Sequence, residues 1–194
     1  MGDGVLVYAG HDPGVCSRTF SSCAQVLLGR IEQAEGSLEE ARELAKSLSH
    51  PASMGSALGF AGMAFQMRRD ATRALHYAES AIRHCEEAGL DRLLWMSASM
   101  VVRGWSLAVL GPDAAAIAEI ERGISQWTAS GTTFCYPYLL GLLADAQGHL
   151  GRRDEAYSTA LKALEGSGKI GEPWWRPELY RIIGHFQQDI SRDM

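Results

Sequence analysis

The sequence predicts an all-α protein built from helical hairpins that pack in series. Three observations support this prediction. Apolar residues recur at three- and four-residue spacing between turn-forming clusters, which is the period of amphipathic helices. Residues with β-strand composition are confined to the short stretch 5–8, VLVY. Small residues recur with a period of 40 to 42 residues along most of the 194-residue chain.

Turn-forming clusters divide the chain into segments of about 15 to 20 residues, which is an ordinary helix length. The clusters lie at residues 28–30, 49–53, 68–70, 88–91, 110–113, 130–133, 150–154 and 165–173. Alternate clusters are tight and the others are looser, as expected for hairpins joined in series, and about nine helices are predicted. The first helix begins at Asp12-Pro13-Gly14, a turn in which proline suits the first helical turn.

A register of small residues defines the repeat. It is counted from four turn residues, Gly29, Arg69, Gly111 and Gly151. Alanine, glycine or serine occupies the positions seven before, five after and twelve after each turn residue: Ser22, Gly62, Gly104 and Ala144; Ala34, Ala74, Ala116 and Ala156; Ala41, Ala81, Gly123 and Ala163. Forty residues after Ala144, Gly184 continues the register into a fifth, partial unit.

Small side chains at these positions let the two helix backbones of a hairpin approach closely, whereas bulky ones would hold them apart. One hairpin buries only one face by itself, so neighbouring hairpins must stack to complete a core. The sequence therefore predicts a single domain over residues 1–194. Its approximate units are 14–50, 52–89, 91–131, 133–168 and a partial 173–190.

This register resembles the tetratricopeptide repeat (TPR), in which small residues flank the turn glycine of each helical hairpin. The resemblance covers nearly the whole chain and implies a right-handed α-solenoid of about four and a half units. Two features depart from the TPR pattern. The period is longer than the usual length of about 34 residues, and most bulky aromatic positions are lost. In the last full unit those positions hold Gln147 and Ala160.

Several segments further resemble the C-terminal repeat region of bacterial signalling proteins that combine an adenylate or guanylate cyclase domain with an AAA- or STAND-type ATPase domain. They are YAGHDPGVCSRTFSSCAQVLLGR, EEARELAKSLSHPAS, RGWSLAVLG, LLADAQGHLGRRDEA and EPWWRPELYRIIG. The resemblance implies that the chain is the repeat part of a longer signalling protein or a truncated relative. The chain contains no Walker A motif and no cyclase catalytic segment, so no enzymatic activity is transferred to its residues.

In TPR proteins the first helix of each hairpin lines a concave groove that binds a protein or peptide. The groove residues implied by the resemblance are Met63, Gln66, Val101, Trp105, Tyr138 and Asp145, and the same face includes Thr19, Cys23, Val26, Arg181 and His185. This mixed surface, with Trp105 and Tyr138 at its centre, suits a peptide or protein segment. Packing against the next repeat is the alternative role. The basic clamp by which chaperone-binding TPR domains hold a C-terminal carboxylate is missing, so that ligand is not expected.

Composition argues against several other partners. The chain has 18 Lys and Arg against 23 Asp and Glu, a net charge of −5, so no nucleic-acid partner is expected. No apolar run approaches the ~18 residues of a membrane span, and the N-terminus lacks the basic and apolar regions of a signal peptide. The cysteines at 16, 23, 85 and 135 form no CxxC pair, which is typical of free thiols in a reducing compartment. A cytoplasmic protein is expected.

No sequence pattern predicts an enzyme, a cofactor or a metal site. The six histidines form no HxxxH or HExxH pair, and no GxSxG nucleophile motif occurs. The string at residues 165–173 lacks the Lys-Ser/Thr ending of a phosphate loop. Trp95 and Trp175 each lie nine residues before a register glycine, at 104 and 184, which favours packing between units over the alternative of a partner-binding aromatic.

The favoured function is therefore a non-catalytic interaction and sensing scaffold of a bacterial signalling ATPase or cyclase-type regulator, with a protein or peptide as its partner. Two alternatives stay open. One is a free-standing adaptor that forms homo-oligomers through exposed apolar edges. The other is a small-molecule enzyme built on a helical scaffold.

Overall fold

A computed structural model describes residues 10–90, 94–111, 113 and 115–192, with side chains up to residue 187. Within these ranges the chain forms α1 (Pro13–Leu27), α2 (Ile31–Ser47), α3 (Pro51–Met67), α4 (Ala71–Glu87), α5 (Leu94–Leu110), α6 (Ala115–Ala129), α7 (Tyr136–His149), α8 (Arg153–Ile170), a 3₁₀ helix (Pro173–Trp175) and α9 (Arg176–Arg192). These ranges contain no strand, so the all-α prediction is confirmed for them. The β-type stretch at residues 5–8 and residues 91 and 112 of two predicted turns lie outside the described part.

The first helix begins as its sequence predicts. The Asp12 carboxylate accepts hydrogen bonds from the backbone N–H groups of Gly14 at 2.8 Å and Val15 at 3.1 Å. These N–H groups have no partner within the helix, so the carboxylate caps its N-terminus. Pro13 occupies the first turn, where a missing N–H costs nothing. The structure therefore confirms that residues 11–14 form a helix-starting turn.

Two of the tight turns between paired helices use glycine in the left-handed backbone region. Gly29 and Gly151 have φ values of 73° and 76°, a conformation in which a side chain is strained. At the same register position the turn between α3 and α4 holds Arg69, with φ of 58°. A non-glycine residue costs about 1 kcal/mol there, so Arg69 must be stabilised by contacts elsewhere.

Consecutive helices pack as antiparallel neighbours in four pairs, α1 with α2, α3 with α4, α5 with α6 and α7 with α8. The odd-numbered helices also pack on one another, α1 on α3, α3 on α5 and α5 on α7, and α9 closes the array against α8. This double set of contacts puts α3, α5 and α7 in the interior. The largest apolar cluster accordingly draws most of its side chains from α3, α5 and α7.

The small-residue register lies at the crossings within pairs. A Cβ atom added to Gly104 would lie 2.6 Å from Ile120 Cγ1 and 2.8 Å from the backbone oxygen of Ala116. A Cβ atom added to Gly62 would lie 3.6 Å from the backbone oxygen of Ala74. Ala74 and Ala116 are the register positions five residues after their turns, so the predicted close approach is confirmed at both crossings. All twelve register positions are buried.

The two tryptophans of the register make the same contact between neighbouring pairs. Trp95 at the start of α5 lies over Gly59 of α3, and Trp175 lies over Gly141 of α7. A Cβ atom at Gly141 would approach Trp175 Nε1 to 2.7 Å, so glycine is what makes room for the indole. Both tryptophans are buried. Their predicted role in packing between units is confirmed.

We expect Gly104→Ala to lower the free energy of unfolding by about 2 kcal/mol, because overpacking against α6 outweighs the higher helix propensity of alanine. Gly184→Ala is the matched control: it holds the same register position in α9, but nothing lies within 4 Å of the added Cβ atom. That substitution should be neutral or stabilising by up to about 1 kcal/mol. Urea unfolding followed by circular dichroism measures both, and equal effects would contradict the role given to the register.

Candidate functional site

The six residues predicted to line an open groove lie in the interior of the described structure. Each is no more than 9% exposed, and Val101, Trp105 and Tyr138 are fully buried. These side chains pack against neighbouring helices, which is the packing alternative rather than an open groove, although Met63 also lines a pocket. The physical reason is that α3 and α7 contact each other through Gln66 and Tyr138. We call the side of α3, α5 and α7 on which this contact lies the inner face. The repeat register alone does not predict the contact. The binding of a partner by these side chains stays a prediction.

Two buried polar contacts close this inner face. The Tyr138 hydroxyl on α7 donates a hydrogen bond of 2.9 Å to the side-chain oxygen of Gln66 on α3. The Trp105 indole N–H on α5 donates one of 2.8 Å to Asp145 on α7. Burial raises the pKa of the Tyr138 hydroxyl well above its ordinary value, so the group stays protonated as a donor. These contacts join helices that are far apart in the sequence.

Asp145 is the centre of an ionic cluster at one end of this face. Its carboxylate accepts hydrogen bonds from Arg69 at 3.1 Å and Arg181 at 3.3 Å, and His149 Nε2 lies 3.8 Å away. The two arginines share a second carboxylate, Glu178 on α9, at 2.9 Å and 2.7 Å. Arg69 therefore connects the strained turn after α3 to both α7 and α9. These contacts account for an arginine where other units use glycine.

The remaining predicted groove residues divide between interior and surface. Thr19 is buried and donates its hydroxyl hydrogen to the backbone oxygen of Cys16, and Val26 packs against the core. His185 is exposed. Cys23 is buried but lines a pocket, as does Met63. Of the residues on this face, Cys23 and Met63 therefore line a pocket, while Arg181 and His185 are exposed on α9.

The pocket, which we call the sulfur pocket, has a volume of about 220 Å³ and lies where α1, α3, the α6–α7 connection and the 3₁₀ helix meet. Its lining contains only apolar and sulfur-bearing side chains: Phe20, Cys23, Ala24, Leu27, Phe60, Met63, Met67, Phe134, Cys135 and Trp174. Phe20 and Leu27 are 40% and 48% exposed and mark its opening. Burial raises the pKa of the Cys23 thiol to about 12 and also raises that of Cys135.

A larger opening, which we call the α7 groove, runs over α7 between α6 and α8 and has a volume of about 950 Å³. Tyr136, Leu140, Leu143 and Gln147 form its floor at the spacing of one helix face. Its walls are Glu121 of α6 and the exposed side of α8. Sequence reasoning did not select this surface, because it lies on the face opposite to the predicted groove.

The α7 groove is open because two bulky residues are missing. The equivalent groove over α3 is 82 residues earlier in the chain and holds only about 410 Å³. There Phe65 and Tyr77 stack with ring centroids 5.2 Å apart, and the Arg73 guanidinium lies 4.4 Å from the Phe65 centroid. The residues 82 positions later, Gln147 and Thr159, are smaller and polar. The loss of the aromatic at position 147, noted in the sequence, was the available signal for this site.

The chemistry of the α7 groove combines a partly apolar floor with an acidic rim. Four carboxylates and two amines line it, a net charge of −2: Glu121, Asp154, Glu155 and Glu165 against Lys162 and Lys169. Lys169 pairs with Glu165 at 2.7 Å and lowers the pKa of that carboxyl. On the floor, the Gln147 side-chain oxygen is buried and has no hydrogen-bond partner within the described part of the chain. Such a buried acceptor calls for a donor.

Within the described residues, no group of three or more His, Cys, Asp or Glu side chains has the arrangement of a metal centre. None of the helices described combines the length and hydrophobicity needed to cross a bilayer.

Comparison with known proteins gives no family assignment. A scan against protein-family models found no model that matches the chain, and a search of curated proteins found no similar sequence.

We expect Asp145→Ala to lower the free energy of unfolding by about 2 kcal/mol, because it leaves the buried Trp105 N–H without its acceptor and two arginines without their shared carboxylate. Glu39→Ala is the control, since it breaks the exposed 2.7 Å ion pair with Arg42 and should cost no more than about 0.5 kcal/mol. A double-mutant cycle with Trp105→Phe isolates the indole contribution. A coupling energy near zero would show that this hydrogen bond does not contribute to stability.

Proposed function

We propose that this protein is a non-catalytic interaction scaffold that docks an amphipathic helix of a protein partner in the α7 groove. The observation that carries this proposal is the enlarged groove at the fourth helix pair, where Gln147 and Thr159 replace the Phe65–Tyr77 stack of the second pair. A helix from a partner would supply the apolar side chains that the chain itself lacks there. Helix-in-groove docking is a common mode of peptide recognition.

The finer description of the fold belongs to the same proposal. The register of small residues, the pairing of consecutive helices and the packing of odd-numbered helices on one another support a TPR-like right-handed α-solenoid of about four and a half units. In such an array each unit presents equivalent surfaces. Loss of bulky residues in one unit then converts a packed position into a binding position without disturbing the others.

The resemblance of the sequence to repeat regions of bacterial cyclase- and STAND-type ATPases supports a role as the sensing part of a signalling regulator. In that role, partner docking in the repeat array would bias an enzymatic domain carried elsewhere in the same protein or in an associated one. The size of the native gene product, measured with an antibody against this domain, tests whether an enzymatic domain is fused to it.

The chemistry of the groove defines the partner. The apolar floor requires large apolar side chains at i, i+3, i+4 and i+7 on one helix face. The net charge of −2 on the lining favours basic residues at the edges of that face.

The decisive test transplants the residues of the second pair into the fourth. We expect Gln147→Phe with Thr159→Tyr to fill the α7 groove and reduce binding of a labelled amphipathic peptide, with leucines on one face and lysines flanking it, by at least about 10-fold, the equivalent of roughly 1.4 kcal/mol. Fluorescence anisotropy gives the affinity, and urea unfolding should show stability retained or raised because a buried unpaired oxygen is removed.

The reciprocal variant is the control. Phe65→Gln with Tyr77→Thr opens the second groove and should lower stability, yet leave peptide binding at the fourth pair unchanged. A peptide of the same composition with its leucines scattered around the helix should not bind. Undiminished binding to the filled variant would rule out the α7 groove as the docking site.

A self-associating adaptor is the second candidate, and the free face of α9 favours it. Tyr180 is 54% exposed there, and no atom lies within 4 Å of a Cβ position at Gly184, whereas the same register position in α3 and α5 is covered. If copies associate through this face, sedimentation should show a dimer that Tyr180→Glu dissociates. A monomer at all concentrations would remove this candidate.

A further inference from the structure

Four sulfur-bearing side chains from three helix pairs line the sulfur pocket. Cys23 comes from α1, Met63 and Met67 come from α3, and Cys135 immediately precedes α7. The sequence alone does not predict this set, because its members are up to 112 positions apart in the chain. The stacking of α1 on α3 and the position of the α6–α7 connection bring them to one cavity.

The connection that presents Cys135 is held in place by two contacts. The Cys135 backbone N–H donates to the Glu172 carboxylate at 3.0 Å, and the Phe134 backbone oxygen accepts from Trp127 Nε1 at 2.8 Å. Cys135 itself lies in the left-handed region, with φ of 57°. Cys23 and Cys135 both line this pocket, so the two thiol-bearing side chains border one cavity.

The donor atoms that line this pocket are chemically uniform. Thiols and thioethers are soft ligands, which favour cuprous ion over the hard cations bound by carboxylates and carbonyl oxygens. The lining includes no carboxylate, imidazole or amide side chain, so Mg²⁺, Ca²⁺ and the usual zinc ligand sets find no match there. We propose that the sulfur pocket is a binding site for cuprous ion, with Cys23, Cys135, Met63 and Met67 as the candidate ligands.

The net charge of the complex also favours cuprous ion over divalent cations. Cu⁺ replaces the proton of one thiol, and the resulting Cu–S unit is neutral while one H⁺ leaves to solvent. A neutral complex suits an apolar cavity, in which an uncompensated charge is costly. The second thiol keeps its proton, and the thioethers of Met63 and Met67 complete the coordination without adding charge. No change of oxidation state is involved, because copper enters and stays as Cu(I).

The methionine side chains let the pocket close on an ion smaller than its volume. Each has three rotatable bonds and adapts to irregular space, and Met67 is only partly buried. Phe20 and Leu27 at the opening are exposed, so the ion has an entry path from solvent. The aromatic rings of Phe60, Phe134 and Trp174 form part of the remaining lining.

The experiment is an anaerobic competition for Cu(I) between the full chain and the chelator bicinchoninate, followed by absorbance. We expect one Cu(I) bound per chain and a sulfur-only coordination shell by X-ray absorption. Cys23→Ser should weaken the affinity by at least about 100-fold, and the near-isosteric Met63→Leu by about 10-fold, since losing a ligand costs at least as much as losing an outer-shell partner.

Two control variants change the same residue types outside the pocket. Cys85→Ser in α4 and Met100→Leu in α5 replace buried residues and should keep the affinity of the unmodified chain. Circular dichroism checks that each variant is folded. Equal losses in the control and pocket variants, no Cu(I) retained against the chelator, or unchanged affinity in both Cys23→Ser and Met63→Leu would each overturn the proposal.

The sulfur pocket is separate from the α7 groove, since the two openings share no lining residue. The groove-filling variant Gln147→Phe with Thr159→Tyr should therefore bind Cu(I) as the unmodified chain does. Failure of peptide binding thus leaves the copper proposal standing, and the reverse also holds.

Discussion

The close approach of paired helices at small residues is the constraint on which the rest of the structure depends. At Gly104 there is no room for a single methyl group between α5 and the backbone of α6. Because each pair is held this tightly, the odd-numbered helices converge, and α3 comes within hydrogen-bonding distance of α7 through Gln66 and Tyr138. The inner face is closed by this contact, and the two openings described above lie where packing is incomplete.

The polar residues of the inner face follow from this closure. A buried hydroxyl or indole N–H is costly without an acceptor. The position of α7 is therefore restricted to one in which Tyr138 reaches its acceptor on α3 and Trp105 of α5 reaches its acceptor on α7. Arg69 makes comparable contacts nearer the surface. Its ion pairs with Asp145 and Glu178 offset the strain of its left-handed backbone. Together these contacts specify one arrangement of the helices rather than adding greatly to stability.

Local and periodic features of the fold could be predicted from the sequence, and contacts between helices of distant units could not. The helices, the turn at residues 11–14, the crossings at Gly62 and Gly104 and the packing of Trp175 all follow from spacing within one or two units. Whether a helix face is open depends on small angles summed over several units, and Gln66 and Tyr138, 72 residues apart, carry no local sign that they meet. The α7 groove could have been predicted, because Gln147 occupies the register position that Phe65 occupies two units earlier.

The two openings are separate in composition but adjacent in structure, and this limits which variants are informative. Cys135 lines the sulfur pocket, whereas the next residue, Tyr136, begins α7 and lines the groove. Glu172 holds the amide of Cys135 and thereby the start of α7. A substitution at Cys135 would therefore disturb both surfaces through one backbone turn. Cys23 and Met63, on α1 and α3, line the pocket but not the groove, so their substitution tests the proposed metal ligands without changing a groove residue.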